Sequence, residues 1–258
     1  MPQIIAIHSY RGGTGKSNLT ANLATAIALQ GKRVAVVDTD LQSPGIHTLF
    51  GLNGTVSVKT LNDYLWKRSP IQDTAHDVSS ALELTQGKVF LVPASVDAEE
   101  IARILSEGYN VSLLNDGFRQ LIKELELDYL FIDTHPGLSH ETLLSIAIAN
   151  LLILILRPDQ QDYQGTAVTI DVARQLKVRK LMLVINKALS KLNFSTLQQT
   201  VEATYSASVA GIFPLSEDMV ELGSRGLFCL QFPDHPFTKT LNQVAMQIVQ
   251  QPSLVTSH

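Results

Sequence analysis

Seven short apolar runs, distributed along nearly the whole chain, restrict its fold more than any other feature: Ile4–Ile7, Arg33–Val37, Lys88–Val92, Tyr129–Ile132, Leu151–Leu156, Lys180–Ile185 and Val209–Phe213. Each is strand-length and hydrophobic without alternation, and the segments between them carry apolar residues at helical spacing. Strands apolar on both faces, separated by helices, require a sheet covered on both sides. The predicted fold is therefore α/β: a doubly wound, mostly parallel central sheet flanked by helices. Residues 45–85 are the least periodic and read as loops and short helices. With 258 residues and 45% apolar content, the chain is expected to form a single domain over residues 1–258.

In such sheets, ligands bind beyond the carboxyl ends of the strands. The first strand ends in Arg11-Gly12-Gly13-Thr14-Gly15-Lys16-Ser17-Asn18, and Leu19, Leu23, Ala26 and Ile27 then mark a helix. Three glycines in four positions leave backbone N–H groups free to surround an anion, and the helix start adds partial positive charge. The loop is read as a phosphate cradle, with Lys16 reaching the β- and γ-phosphates and the Ser17 hydroxyl placed for Mg²⁺. Tyr10 stands where the standard phosphate-loop pattern has its first glycine.

The order R-G-G-T-G-K-S resembles the deviant Walker A loop of the ParA/MinD family of positioning ATPases. In that family a signature lysine, here Arg11, reaches the partner's nucleotide across a dimer. Further motifs extend the resemblance. Asp38-Thr39-Asp40, followed by Leu41-Gln42-Ser43-Pro44, is similar to the family's switch I segment. By that likeness Asp40 orients the attacking water, and Asp38 acts nearer the metal or supports the loop. The strand at Tyr129–Ile132 delivers Asp133 ahead of Thr134-His135-Pro136-Gly137, which resembles switch II and implies that Asp133 partners Mg²⁺. Asn186, which ends another strand, corresponds to an adenine-binding asparagine, and Pro214 and Asp218 to a loop covering the base. Arg157 is a secondary candidate for nucleotide or partner contact; a solvated arginine is the competing reading. A metal site from His135 and His140 would lack a third ligand.

The resemblance implies an enzyme that binds Mg·ATP, forms a homodimer with ATP at the interface, and hydrolyses ATP slowly until a stimulating or cargo-adaptor protein intervenes. The alternatives are a tyrosine kinase-like P-loop protein, whose D-x-D-x-x-x-P segment Asp38–Pro44 also resembles, and a nucleotide-binding scaffold without significant hydrolysis. The chain after Tyr205 holds no tyrosine cluster of the kinase kind.

Charge and composition narrow the partners. A net charge of −4 restricts any nucleic-acid contact to a local patch. Residues 172–201 carry Arg174, Lys177, Arg179, Lys180, Lys187 and Lys191 with no acidic residue. Two readings of this segment stand: nonspecific contact with DNA phosphates, chiefly through Arg174, Lys177, Arg179 and Lys180, or basic residues favouring a helix C-terminus. The last helical stripe, Phe237 to Val249, has only Lys239 as a cation on its polar face, so a core helix is favoured over a membrane-surface helix. Gln250-Gln251-Pro252-Ser253 is expected to end it. The lone Cys229 excludes an internal disulfide or a thiol cluster within the chain, and with no signal peptide read at the N-terminus a cytoplasmic location is expected.

Overall fold

The computed structural model describes residues 2–52 and 58–250. Gln251, Pro252 and Ser253, expected to end the last helix, lie outside them. Along the chain come β1 (Gln3–His8), α1 (Lys16–Ala28), β2 (Arg33–Asp38), α2 (Ile46–Leu49), α3 (Leu61–Leu65), a 3-10 turn (Ile71–Thr74), β3 (His76–Asp77), β4 (Lys88–Val92), α4 (Ala98–Glu107) and α5 (Ser112–Glu124). Then follow β5 (Tyr129–Asp133), α6 (His140–Ile148), β6 (Leu151–Leu156), α7 (Gln160–Gln175), β7 (Leu181–Ala188), α8 (Phe194–Tyr205), β8 (Ser208–Pro214), α9 (Glu217–Leu222), α10 (Phe228–Gln231) and α11 (Pro236–Val249).

The strands form one sheet in the order β3-β4-β2-β5-β1-β6-β7-β8, parallel throughout except for the short β3 edge. Side-chain alternation explains why the strands read as unbroken apolar runs. Ile5 and Ile7 of β1, Val34 and Val36 of β2, and Tyr129 and Phe131 of β5 face a core shared with α1 and α11. Their neighbours Ala35, Val37, Leu130 and Ile132 face the opposite layer with α3 and α5, while Ala6 joins α6 and α7 farther along that layer. Neither face of the central strands meets water, so both are apolar until the strands' carboxyl ends, where His8, Asp38 and Asp133 stand. The α11 stripe is core: Phe237, Leu241, Val244, Ala245 and Ile248 are all buried. Among the described residues no helix is long and apolar enough to cross a membrane.

β1 lies between β5 and β6. The chain winds to one side through β2 and β4, returns at β5, and then builds β6, β7 and β8 on the other side. The winding direction therefore reverses at β1, which opens a crevice at its carboxyl end. The loop from Ser9 to Gly15 occupies that end.

Candidate functional site

The loop leaves β1 and enters α1 through Gly15, whose φ of +90° is left-handed. A second constraint acts there, because a Cβ on Gly15 would lie 2.5 Å from Asn186 Nδ2. Glycine is needed for both reasons. The first turn of α1 contains no acidic side chain and no side-chain cap, so its N–H groups stay available to an anion. Gly12 to Asn18, with Ser9, Asp40 and Pro136, wall a cavity of about 180 Å³.

Beneath this cavity lies a buried charge cluster built by strand register. β2 and β5 are adjacent and pair Asp38 with Asp133 at their carboxyl ends. Lys16 Nζ donates to Asp133 Oδ1 at 2.8 Å, and Thr20, one helical turn after Lys16, donates to the same oxygen at 3.1 Å. Asp133 Oδ2 is buried with no hydrogen-bond partner. Asp38 accepts the Asp40 N–H at 3.0 Å and the Gly45 N–H at 3.3 Å, which folds the loop after β2 back onto the strand end. Burial, reinforced by the adjacent Asp133 charge, pushes the Asp38 carboxyl well above the ordinary carboxylate range. His8, also buried, bonds Thr134 Oγ1 at 2.8 Å. Burial and then the Lys16 charge lower its pKa to about 3, so it is neutral.

These residues fit Mg²⁺. The ion retains water and typically binds one or two carboxylates plus substrate phosphates, not an all-protein cage. Asp133 Oδ2 is an unsatisfied buried acceptor on a carboxylate that holds Lys16, and Lys16 and Ser17 both line the cavity. Among the described residues, His135 and His140 join no group of three or more His, Cys, Asp or Glu that could hold a metal ion.

A second cavity of about 180 Å³ shares Gly15 and Asn18 with the first and is largely apolar, with Leu19, Pro214, Leu215 and Met219 in its walls. Asn186 and Lys187 line it too, yet their polar atoms serve the loop. Asn186 Nδ2 donates to the Thr14 carbonyl at 2.7 Å, and its Oδ1 accepts the Lys187 N–H at 2.9 Å. Lys187 Nζ donates to the Gly13 carbonyl at 2.7 Å. Asp218 is not among these wall residues, and its carboxylate lies 3.2 Å from His235 Nε2.

Arg11 projects to the start of α7, where Nη1 lies 3.4 Å from Asp159 Oδ1 and 3.5 Å from Asp162 Oδ1. Arg157 pairs with the same two carboxylates at 3.1 Å. Asp162 is a site residue that the sequence reading missed. The available signal was the D-x-x-D spacing Asp159–Asp162 at a helix start, since Asp159 caps the Asp162 N–H at 3.0 Å. Thr20 was also missed, although it lies four residues from Lys16 and therefore on the same helix face.

The basic segment divides. Lys187 belongs to the phosphate loop, whereas Lys177, Arg179 and Lys180 precede β7 at the opposite end of the sheet. Arg174 is engaged by the Tyr205 carbonyl at 2.5 Å.

A family profile described as "ParA: NUBPL iron-transfer P-loop NTPase" matches residues 1–249. An uncharacterised ATP-binding protein of Methanocaldococcus jannaschii is 27% identical over 246 residues, covering 95% of this chain and 87% of that protein. The cytosolic Fe-S cluster assembly factor CFD1 of Yarrowia lipolytica is 31% identical over 152 residues, 54% of this chain and 43% of its own length. This chain thus spans less than half of that relative. Among solved structures, the cell division ATPase MinD of Pyrococcus furiosus superposes with a TM-score of 0.81 at 21% identity, covering 98% of this chain and 100% of that one. That likeness carries the fold. With the profile spanning nearly the whole chain, the protein belongs to the ParA family and is a ParA/MinD-type P-loop NTPase.

Proposed function

We propose that the protein is an ATP-driven association switch: it binds Mg·ATP, pairs with a second copy, and hydrolyses ATP slowly until a partner stimulates it. The observation that carries this reading is the buried Lys16–Asp133 pair at 2.8 Å beneath a loop of free N–H groups, with the second Asp133 oxygen unsatisfied. Lys16 exchanges Asp133 for the β- and γ-phosphates, and Ser17 with Asp133 holds the metal. Held by these two residues, Mg²⁺ would supply neutralisation of phosphate charge. Asp40 orients the attacking water. Arg11 leaves Asp159 and Asp162 and donates across the dimer to the partner's phosphates, for which a forked guanidinium suits bidentate contact. Asn186 and Pro214 border the adenine, with Asp218 at the loop edge. The output is positioning of DNA or protein cargo, and Lys177, Arg179 and Lys180 are the DNA-facing candidates.

Iron–sulfur transfer is the second reading, favoured by the family description and by relatives named as cluster assembly factors. The donor set of this chain weighs against direct thiolate ligation. Cys229 is its one cysteine. It is buried and donates its N–H to Asn22 Oδ1 at 2.9 Å, and burial pushes its thiol up to about 12. A cluster carried as cargo would need ligands from a partner.

ATP turnover and sedimentation, with and without random-sequence DNA at low salt, test the proposal. The expected result is slow turnover and an ATP-dependent dimer that Arg11→Ala weakens about tenfold while leaving monomer affinity for ATP nearly intact. Sedimentation unaffected by ATP would overturn the switch. Anaerobic incubation with ferrous iron and sulfide separates the readings, since a stable visible absorption band on the isolated protein would favour the second.

A further inference from the structure

We propose that His135 is a positioning residue that holds the Asp40 carboxylate in the orientation used for hydrolysis. The inference rests on the ATPase reading above and names a part that reading leaves out. His135 Nδ1 lies 2.7 Å from Asp40 Oδ1, a side-chain bond that joins the loop after β2 to the loop after β5. The same Oδ1 accepts the Ser43 N–H at 3.1 Å. Two donors on one oxygen fix the plane of the carboxylate, and Oδ2 accepts no hydrogen bond from the described residues. Asp40 borders the phosphate cavity, whereas His135 borders a separate, smaller one, beside Tyr109, Ser139 and Glu141. The imidazole therefore holds Asp40 without itself lining the phosphate cavity.

The histidine is itself anchored. The flanking backbone is tied to β1 and the residue after it, with Thr134 N–H on the Ile7 carbonyl at 3.3 Å and Gly137 N–H on the Ser9 carbonyl at 3.2 Å. Thr142 Oγ1 donates to the His135 carbonyl at 3.3 Å. A carboxylate on a loop, fixed by a donor on a sheet-anchored segment, keeps its free oxygen aimed without help from substrate. Orientation of this kind carries large rate effects, because misplacement by about 1 Å can cost on the order of a hundredfold.

The test uses His135→Ala, His135→Asn and His135→Gln in the full chain. The Asn amide nitrogen falls near the position of Nδ1 and the Gln nitrogen near that of Nε2, so only His135→Asn should rescue. Steady-state ATP turnover is expected to show kcat lowered about thirtyfold in the Ala and Gln variants, KM within about twofold, and the Asn variant near the starting protein. Amide hydrogen exchange of the nucleotide-free protein gives a readout independent of turnover. Exchange at Ser43 should quicken in the Ala and Gln variants and remain slow in the Asn variant. The proposal is overturned if the Asn variant is as impaired as the Gln variant, if exchange at Ser43 does not respond, or if exchange responds while kcat does not. If the unsubstituted protein hydrolyses no ATP, the ATPase reading and this positioning role fall with it. The exchange arm then decides separately whether the His135 contact orders the loop.

Discussion

The phosphate end and the base end of the crevice are built on opposite principles, although they share Gly15 and Asn18. At the phosphate end, β1, β2 and β5 deliver His8, Asp38 and Asp133 into one buried cluster around Lys16. Their charges are incompletely matched: the Asp38 carboxyl is pushed up, the His8 imidazole is pushed down, and one Asp133 oxygen has no partner. At the base end, Asn186 and Lys187 each donate to a loop carbonyl, of Thr14 and Gly13, and most of the remaining wall is apolar. The phosphate end is therefore electrostatically unfinished and gains from an incoming anion and metal. The base end is preformed and holds the loop in shape. A protein built this way discriminates by charge first and by shape second.

The largest test of this contrast removes its central cation. Lys16→Ala is expected to lower Mg·ATP affinity at least about a hundredfold by calorimetry, because the cavity loses its one buried ammonium and leaves Asp133 unopposed. Affinity retained within tenfold would mean that the backbone N–H groups alone carry phosphate binding, and the contrast between the ends would lose its basis.

Much of the phosphate end was legible in the sequence because its parts are local. Gly12 to Ser17 are contiguous, Asp38 and Asp133 each end an apolar run that reads as a strand, and Asp40 follows Asp38 by two residues. What stayed hidden is what depends on which strands are neighbours. The pairing of Asp38 with Asp133 follows from β2 lying beside β5, and hydrophobic periodicity carries no information about strand order. Arg11 meets Asp159 and Asp162 only because α7 follows a strand placed next to β1. Lys187 looked like part of a basic stretch until β7 ran past Ile185 to Ala188 and carried it to the loop. β3 was missed for a different reason: its two residues, His76 and Asp77, are polar, and an edge strand that short has no period to detect.

A smaller effect probes how strained the phosphate end is. His8 has a folded pKa of about 3, below its ordinary 6.5, so the folded state refuses a proton that the unfolded chain accepts. Its contribution to stability is whole above pH 6.5 and is lost as pH falls toward 3. Between pH 8 and pH 5 the nucleotide-free protein should lose about 2 kcal/mol through this group, seen as a fall in denaturation midpoint. His8→Gln should flatten that slope, whatever it does to absolute stability. A slope unchanged by the substitution would mean that His8 takes up its proton in the folded protein and that the cluster is wetter than its burial implies.

The smallest effect belongs to the base end and decides what Asn186 does there. Its amide holds the Thr14 carbonyl, so Asn186→Ala frees the loop and should weaken ATP binding about fivefold to tenfold, in line with one lost buried hydrogen bond. If loop support is its whole contribution, ATP and GTP weaken together and their affinity ratio in a competition titration stays constant. Should the amide also read the adenine edge, for which a group with both donor and acceptor is suited, the ratio shifts toward GTP in the variant. The Lys187 contact with Gly13 serves as the internal control. Lys187→Met removes a parallel tether at 2.7 Å from a side chain with no amide acceptor, so it should weaken both nucleotides without moving the ratio. A ratio that moves equally in both variants would show that loop shape itself selects the base, making the base end an extension of the phosphate cradle and not a separate recognition surface.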